Sequence, residues 1–166
     1  MSAEWPGQRL CSPDEAAALV AYLRTTHVPG YADDLARGLK VAWRATVAGR
    51  DELGSLLSIF GVLGEIYAAD RGRPKFLVRE LFEVLHRPEC TDARSRQGLD
   101  ALIAAERRGE LRDRRITVLA TTHGPVVVDG NKRSAAIYET AGQEPSLTLP
   151  VFWLTPARGL ALGPPP

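Results

Sequence analysis

Little in this sequence serves the chemistry of disulfides or bound metal clusters. Its two cysteines, Cys11 and Cys90, are too few and too far apart for a disulfide framework or a CxxC pair, and no metal-ligand cluster is visible. No GxxxxGK[ST], HExxH, GxSxG or GxGxxG pattern occurs, and neither does an internal repeat or an extended low-complexity tract. The longest apolar-rich run, residues 53–63, is broken by Gly54, Ser55, Ser58 and Gly61, and falls short of the roughly 20 residues a membrane span needs. The opening MSAEWPGQRL lacks the basic flank and apolar core of a signal peptide, so the expectation is a cytoplasmic protein with no membrane partner. Charge of one sign is also lacking: the net charge is +1, which argues against a protein built to coat nucleic acid.

What the chain does have is enough apolar content for a core. With 166 residues, 45% of them hydrophobic, it predicts one domain with a helical extension. Ser12-Pro13-Asp14-Glu15 reads as a helix start, with Ser12 as the cap, Pro13 at the first helical position and Glu15 completing a capping box. Leu19, Val20 and Leu23 follow at helical spacing, and the helix ends before His27. A second helix is predicted from Asp33, carrying Leu35, Leu39, Ala42 and Trp43. A third is predicted from Asp51, carrying Leu53, Leu56, Leu57, Phe60, Leu63 and Tyr67. After residues 71–74, RGRP, strands and helices alternate. Strands are predicted at 75–78, 116–120, 125–128 and 150–154, with a helix capped near Thr91 or Asp92 that buries Leu99, Leu102 and Ile103. The resulting class is α+β: a helical N-terminal region (1–73), a small mixed sheet flanked by helices (74–157) and a Pro-rich tail (158–166).

Residues 123–139, HGPVVVDGNKRSAAIYE, are the most chemically specific stretch. A β-branched run passes through Asp129-Gly130-Asn131-Lys132-Arg133 into an apolar helical pattern that ends at Gly142, a predicted left-handed cap. The first N–H groups of a helix have no partner within it, and the helix dipole favours negative charge there. With Lys132 and Arg133 added, a phosphate-bearing ligand is the simplest occupant, although such a junction can also be purely structural. Pairing of 116–120 with 125–128 would bring Arg114 and Arg115 back to the end where Asp129 lies.

Residues 75–155 resemble the fold shared by sulfiredoxin, the N-terminal domain of ParB partition proteins and the ParB-like free serine kinases. The resemblance rests on an expected strand near Leu81, the Arg87-Pro88 turn, the Asp92-capped helix, the ITVL strand at 116–119, the VVVDGNKRSAA junction and the closing LPVF strand at 149–152. Its turn is closest to the DGHHR form of the serine kinases. The resemblance implies that Gly130, Asn131, Lys132 and Arg133 cradle the phosphates of ATP or another nucleoside triphosphate, and that Asp129 serves Mg2+ beside the transferred group. It also implies a catalytic carboxylate after Pro88, for which Glu89 is the nearest match, offset by one residue; Glu83 is a weaker candidate.

The departures narrow this. Asn131 stands where sulfiredoxin has its reactive cysteine, which argues against sulfinic acid reduction. Ser95, Gly98 and Leu102 stand where sulfiredoxin contacts its nucleotide, and no helix-turn-helix segment follows the last strand, against a role in partition. The end of the motif also resembles the Fic pattern HxFx[DE]GNxR. Here, however, Gly130 lies seven residues after His123 instead of five, Pro125 replaces the aromatic, and a strand between them would hold His123 on the order of 20 Å away. His123 is then a hairpin residue; His27 and His86 read as structural or solvent-facing. The functional expectation is an ATP- and magnesium-dependent phosphotransferase acting on a small hydroxyl-bearing molecule. The alternatives are a nucleotide- or phosphometabolite-binding module, whose helical half docks a partner or a second copy, a ParB-like nucleic-acid binder and, below these, a Fic-like nucleotidyl transferase.

Overall fold

The computed structural model describes residues 8–26, 28–59, 76–121, 123–142 and 147–157. Along them run β1 (Arg9–Leu10), α1 (Pro13–Thr25), α2 (Pro29–Ala36), β2 (Lys40–Ala48), α3 (Arg50–Ser55), β3 (Leu57–Ser58) and β4 (Phe76–Leu77). They continue with α4 (Leu81–His86), α5 (Ala93–Arg107), β5 (Ile116–Thr121), β6 (Gly124–Asp129), α6 (Asn131–Thr140) and β7 (Thr148–Pro156). The class is α+β, and the described strands form one mixed sheet in the order β1-β2-β7-β5-β6-β3-β4. Only the β5–β7 and β6–β3 pairs are parallel.

β7 lies between β2 and β5, and its sequence shows why both sheet faces are covered. Leu149, Val151 and Trp153 point to one side, into a core shared with Val47, Val118, Val127 and Ile137. Phe152 and Leu154 point to the other, where Leu19 and Leu23 of α1 and Ala32 and Leu35 of α2 pack. A third cluster joins Leu81, Leu85, Cys90, Leu99 and Ile103 to Ala135 and Ala136, so α4 and α5 pack on α6.

α1 starts as the sequence predicts: the Ser12 hydroxyl accepts from the Glu15 N–H at 3.2 Å, and the Glu15 carboxylate accepts from the Ser12 N–H at 2.9 Å. Hydrogen bonds from the Arg9 guanidinium first, and the Ser12 N–H second, hold the Glu15 carboxyl at a pKa of about 2. Ser12→Ala is expected to lower stability by about 1 kcal/mol, read as a lower urea midpoint with an unchanged slope.

The N-terminal region is not wholly helical. The helix expected from Asp33 ends at Ala36, because Gly38 takes φ 71° and the Gly38 and Leu39 N–H groups close back on the Leu35 and Asp34 carbonyls. Residues 40–48 are then a strand, paired with β7 over its whole length. Its signal in the sequence is a period of two, Val41-Trp43-Ala45-Val47, which a helical reading through Ala42 and Trp43 passes over. The helix expected from Asp51 stops at Ser55 and gives way to β3. From residue 60 through Tyr67 the expected helix falls outside the described residues, as do the 71–74 boundary, His27 and the 158–166 tail. Since β1, β2 and β3 share a sheet with β4–β7, the sheet runs across the division placed at residue 74.

The expected strand near Leu81 is α4 instead. Leu81, Val84 and Leu85, spaced i, i+3, i+4, are buried while Phe82 and Glu83 face outward. The Asp92-capped helix, the β5–β6 hairpin, α6 and β7 occupy their expected places. Gly142 has φ 57°, matching the left-handed residue expected after α6. Among the described residues, no helix is long and apolar enough to cross a membrane.

Candidate functional site

β6 enters α6 through Gly130, which caps the helix at φ 85° and ψ 23°. A side chain there would be strained, and it would also have no room. A Cβ built on Gly130 lies 3.1 Å from the Arg115 carbonyl oxygen, 3.1 Å from Ile116 Cγ2 and 3.2 Å from Arg133 Nη1. The turn is therefore pressed against the start of β5. Just before it, the pairing of β5 and β6 shifts register: Thr117 faces Asp129 but Val118 faces Val127, so Val128 is an extra residue. Such a bulge re-aims the side chain that follows. Here that side chain is Asp129.

The five residues of the turn do not form one cluster. Asn131 is buried, and its side-chain oxygen accepts from the Ser58 hydroxyl at 2.7 Å and from the Ile59 N–H at 3.2 Å, which ties the end of β3 to the start of α6. Lys132 lies over Gly98 on α5, with its Nζ 3.1 Å from where a Cβ would stand. Burial pushes the nearby Asp92 carboxyl up, but hydrogen bonds from Ser95, together with the charges of Lys132 and Arg94, bring it below its ordinary value. Arg133 points the other way. Its Nη1 donates to the Arg115 carbonyl, and its Nη2 lies 3.6 Å from Asp113 Oδ2.

Asp129 meets a residue that motif reading did not find. Tyr22, from α1, donates its hydroxyl to Asp129 Oδ2 at 3.1 Å, and the Arg115 guanidinium sits over the Tyr22 ring, 4.8 Å from its centroid. Burial is the main cause raising the Tyr22 pKa. Asp113 binds Arg115 through Nε at 3.1 Å and Nη2 at 3.4 Å, and accepts from the Arg115 N–H at 3.0 Å. Burial pushes the Asp113 carboxyl up, while Arg115 and Arg133 hold it below the usual range. The result is Tyr22 with two arginines and two aspartates at the mouth of the turn. Tyr22 had one sequence signal: it falls three residues after Leu19 on the buried stripe of α1, where an aromatic with a polar tip usually finds a partner.

The hairpin returns Arg115 to the turn, as expected. Arg114 instead pairs with Glu106 at 2.8 Å, toward the ends of α5 and α6. Glu89 is exposed in the loop between α4 and α5. Among the described residues, no hydrogen bond or ion pair joins it to Asp129. Its neighbour Cys90 packs with Ala135 and Ala136, which keeps that loop beside the first turns of α6. Glu83 pairs with Arg87 at 3.3 Å on the exposed side of α4. His123 is exposed in the β5–β6 hairpin, and the whole of β6 lies between it and Gly130. His86 bridges the Phe82 carbonyl and Asp100, fastening α4 to α5. Among the described residues, no group of three or more His, Cys, Asp and Glu side chains is placed to hold a metal ion. Comparison with family models, with curated proteins and with solved structures finds no match to this chain.

Proposed function

We propose that the protein binds a nucleoside triphosphate at the Asp129–Arg133 turn and transfers a phosphoryl group to a small hydroxyl-bearing molecule, as its resemblance to the ParB/sulfiredoxin-like kinases implies. The carrying observation is the Gly130 turn. It starts a ten-residue helix whose first N–H groups have no partner within the helix, with Lys132 on one flank and Arg133 and Arg115 on the other. These groups would bind phosphate oxygens.

Asp129, with one oxygen held by Tyr22, would offer the other to the acceptor hydroxyl or to a cation. Mg2+ needs only one or two protein carboxylates when phosphates and water complete its shell, so Asp129 fits that role, and the ion would neutralise charge on the transferred group. Glu89 would orient the acceptor from the α4–α5 loop.

A panel of nucleotides with magnesium and hydroxyl acceptors tests the reading by calorimetry and by label transfer. Lys132→Ala should weaken nucleotide binding about tenfold or more, the worth of a hydrogen bond to a charged group, with the melting temperature unchanged. Nucleotide binding indifferent to Lys132→Ala and Arg133→Ala would sink the assignment of this turn.

The second reading is a binding module that holds a nucleotide or phosphometabolite without turnover. The exposure of Glu89, with no partner among the described residues, favours it. Glu89→Gln and Asp129→Asn separate the two, because a phosphotransferase loses turnover in both while a binding module keeps its affinity.

A further inference from the structure

We propose that Asp113 is a built-in competitor for the ligand: its carboxylate occupies the position between Arg115 and Arg133 that a phosphate group takes, and it leaves that position when phosphate binds. The inference rests on the phosphate-binding reading of the turn and adds a second arginine and a displaceable anion to it.

Two guanidinium groups repel one another, and an anion between them offsets that repulsion. Asp113 supplies that charge. One of its oxygens meets Arg115 Nε at 3.1 Å, while the other lies 3.4 Å from Arg115 Nη2 and 3.6 Å from Arg133 Nη2. A guanidinium presents the same donor fork to phosphate as to carboxylate, so a geometry that holds Asp113 also suits a phosphate oxygen. A phosphate brings more charge and a third oxygen to the same place.

Each arginine also has a contact that does not involve Asp113, which makes Asp113 the replaceable partner. Arg133 is held by its own bond to the Arg115 carbonyl, and Arg115 by its place over the Tyr22 ring. Asp113 belongs to the connection between α5 and β5, where residues 110–115 form neither helix nor strand. Its side chain is 41% exposed, against 18% for Arg133. Turning outward into water gives up its bonds to Arg115, the one from the backbone N–H included, but leaves Arg133 on the Arg115 carbonyl and Arg115 over the Tyr22 ring.

The test is calorimetric titration of the full chain with inorganic pyrophosphate and, separately, with ATP. Asp113→Asn should bind pyrophosphate about tenfold more tightly than the wild type, a shift typical of coupling between two ligands that exclude each other. Arg115→Gln should weaken binding by a similar factor. It keeps the carbonyl that anchors Arg133, so it provides the measurement if Asp113→Asn does not fold. If wild-type binding depends on Arg133 but Asp113→Asn binds no more tightly, or Arg115→Gln binds unchanged, the competitor role is overturned and the phosphate-binding turn stands. If neither the wild type nor Asp113→Asn binds either probe at millimolar concentration, both readings fall.

Discussion

Gly130→Ala is expected to destabilise the protein by about 3 kcal/mol, well beyond what the same change costs at another left-handed glycine. Gly38 is the comparison. Both residues have positive φ, 71° at Gly38 and 85° at Gly130, so both substitutions force an L-residue into the left-handed region at a cost of about 1 kcal/mol. A Cβ at Gly38 meets nothing within 4 Å, whereas at Gly130 it meets a backbone oxygen and a branched side chain at 3.1 Å. The Arg115 carbonyl is fixed at the entry to β5 and also receives the Arg133 guanidinium. Relief of the contact must therefore open the turn or break that bond. Urea unfolding of the two variants reads the difference directly. A Gly130→Ala cost equal to that of Gly38→Ala would mean that the turn has slack, and the close packing of Gly130 on β5 would be wrong. If the turn holds a nucleotide as proposed, its affinity for Gly130→Ala should fall as well, since the helix start would move with the turn.

What could be read from the sequence divides by distance along the chain. The α1 capping box, the β5–β6 hairpin and the β6–α6 junction involve neighbours within a few residues, and local rules found them. β2 failed because its period of two competed with helical spacing continued from α2, and only pairing with β7, more than a hundred residues away, decides between them. α4 differs for the opposite reason: its six residues carry a sound helical pattern, and only the resemblance asks for a strand there. At the site, the turn itself was legible but its partners were not. Tyr22 reaches Asp129 across 107 residues, and Ser58 reaches Asn131 across 73.

Those partners change what each residue of the turn can do. Read as a string, DGNKR looks like four groups converging on one anion. In the fold, Lys132 and Arg133 leave the helix start on opposite flanks, because Gly98 opens space on α5 for one and the Arg115 carbonyl draws the other toward β5. A phosphate at the helix start would sit between the flanks, touched by a flexible lysine on one side and by a braced arginine pair on the other. This division assigns different consequences to the two cations. Loss of Lys132 should affect ligand affinity alone, while loss of Arg133 should also loosen the connection between α6 and β5.

Asn131 carries the other large effect, and its cost falls on the scaffold. Its Oδ1 accepts from the Ile59 N–H, which can only donate, so the oxygen rather than the amide nitrogen must face β3. Asn131→Leu keeps the size of the side chain but leaves the Ile59 N–H and the buried Ser58 hydroxyl without this acceptor. A donor left unpaired costs about 1–3 kcal/mol and a lost hydrogen bond about 1 kcal/mol, so the expected loss from the two is about 2–4 kcal/mol. The double variant Asn131→Leu, Ser58→Ala should cost less than the sum of the single changes, because each single change already breaks the bond between the two residues. Chemical denaturation of the four proteins in this cycle measures the coupling. Strict additivity would mean that the bond between Ser58 and Asn131 holds nothing, and that the end of β3 is fastened to the turn by the Ile59 N–H bond and by packing.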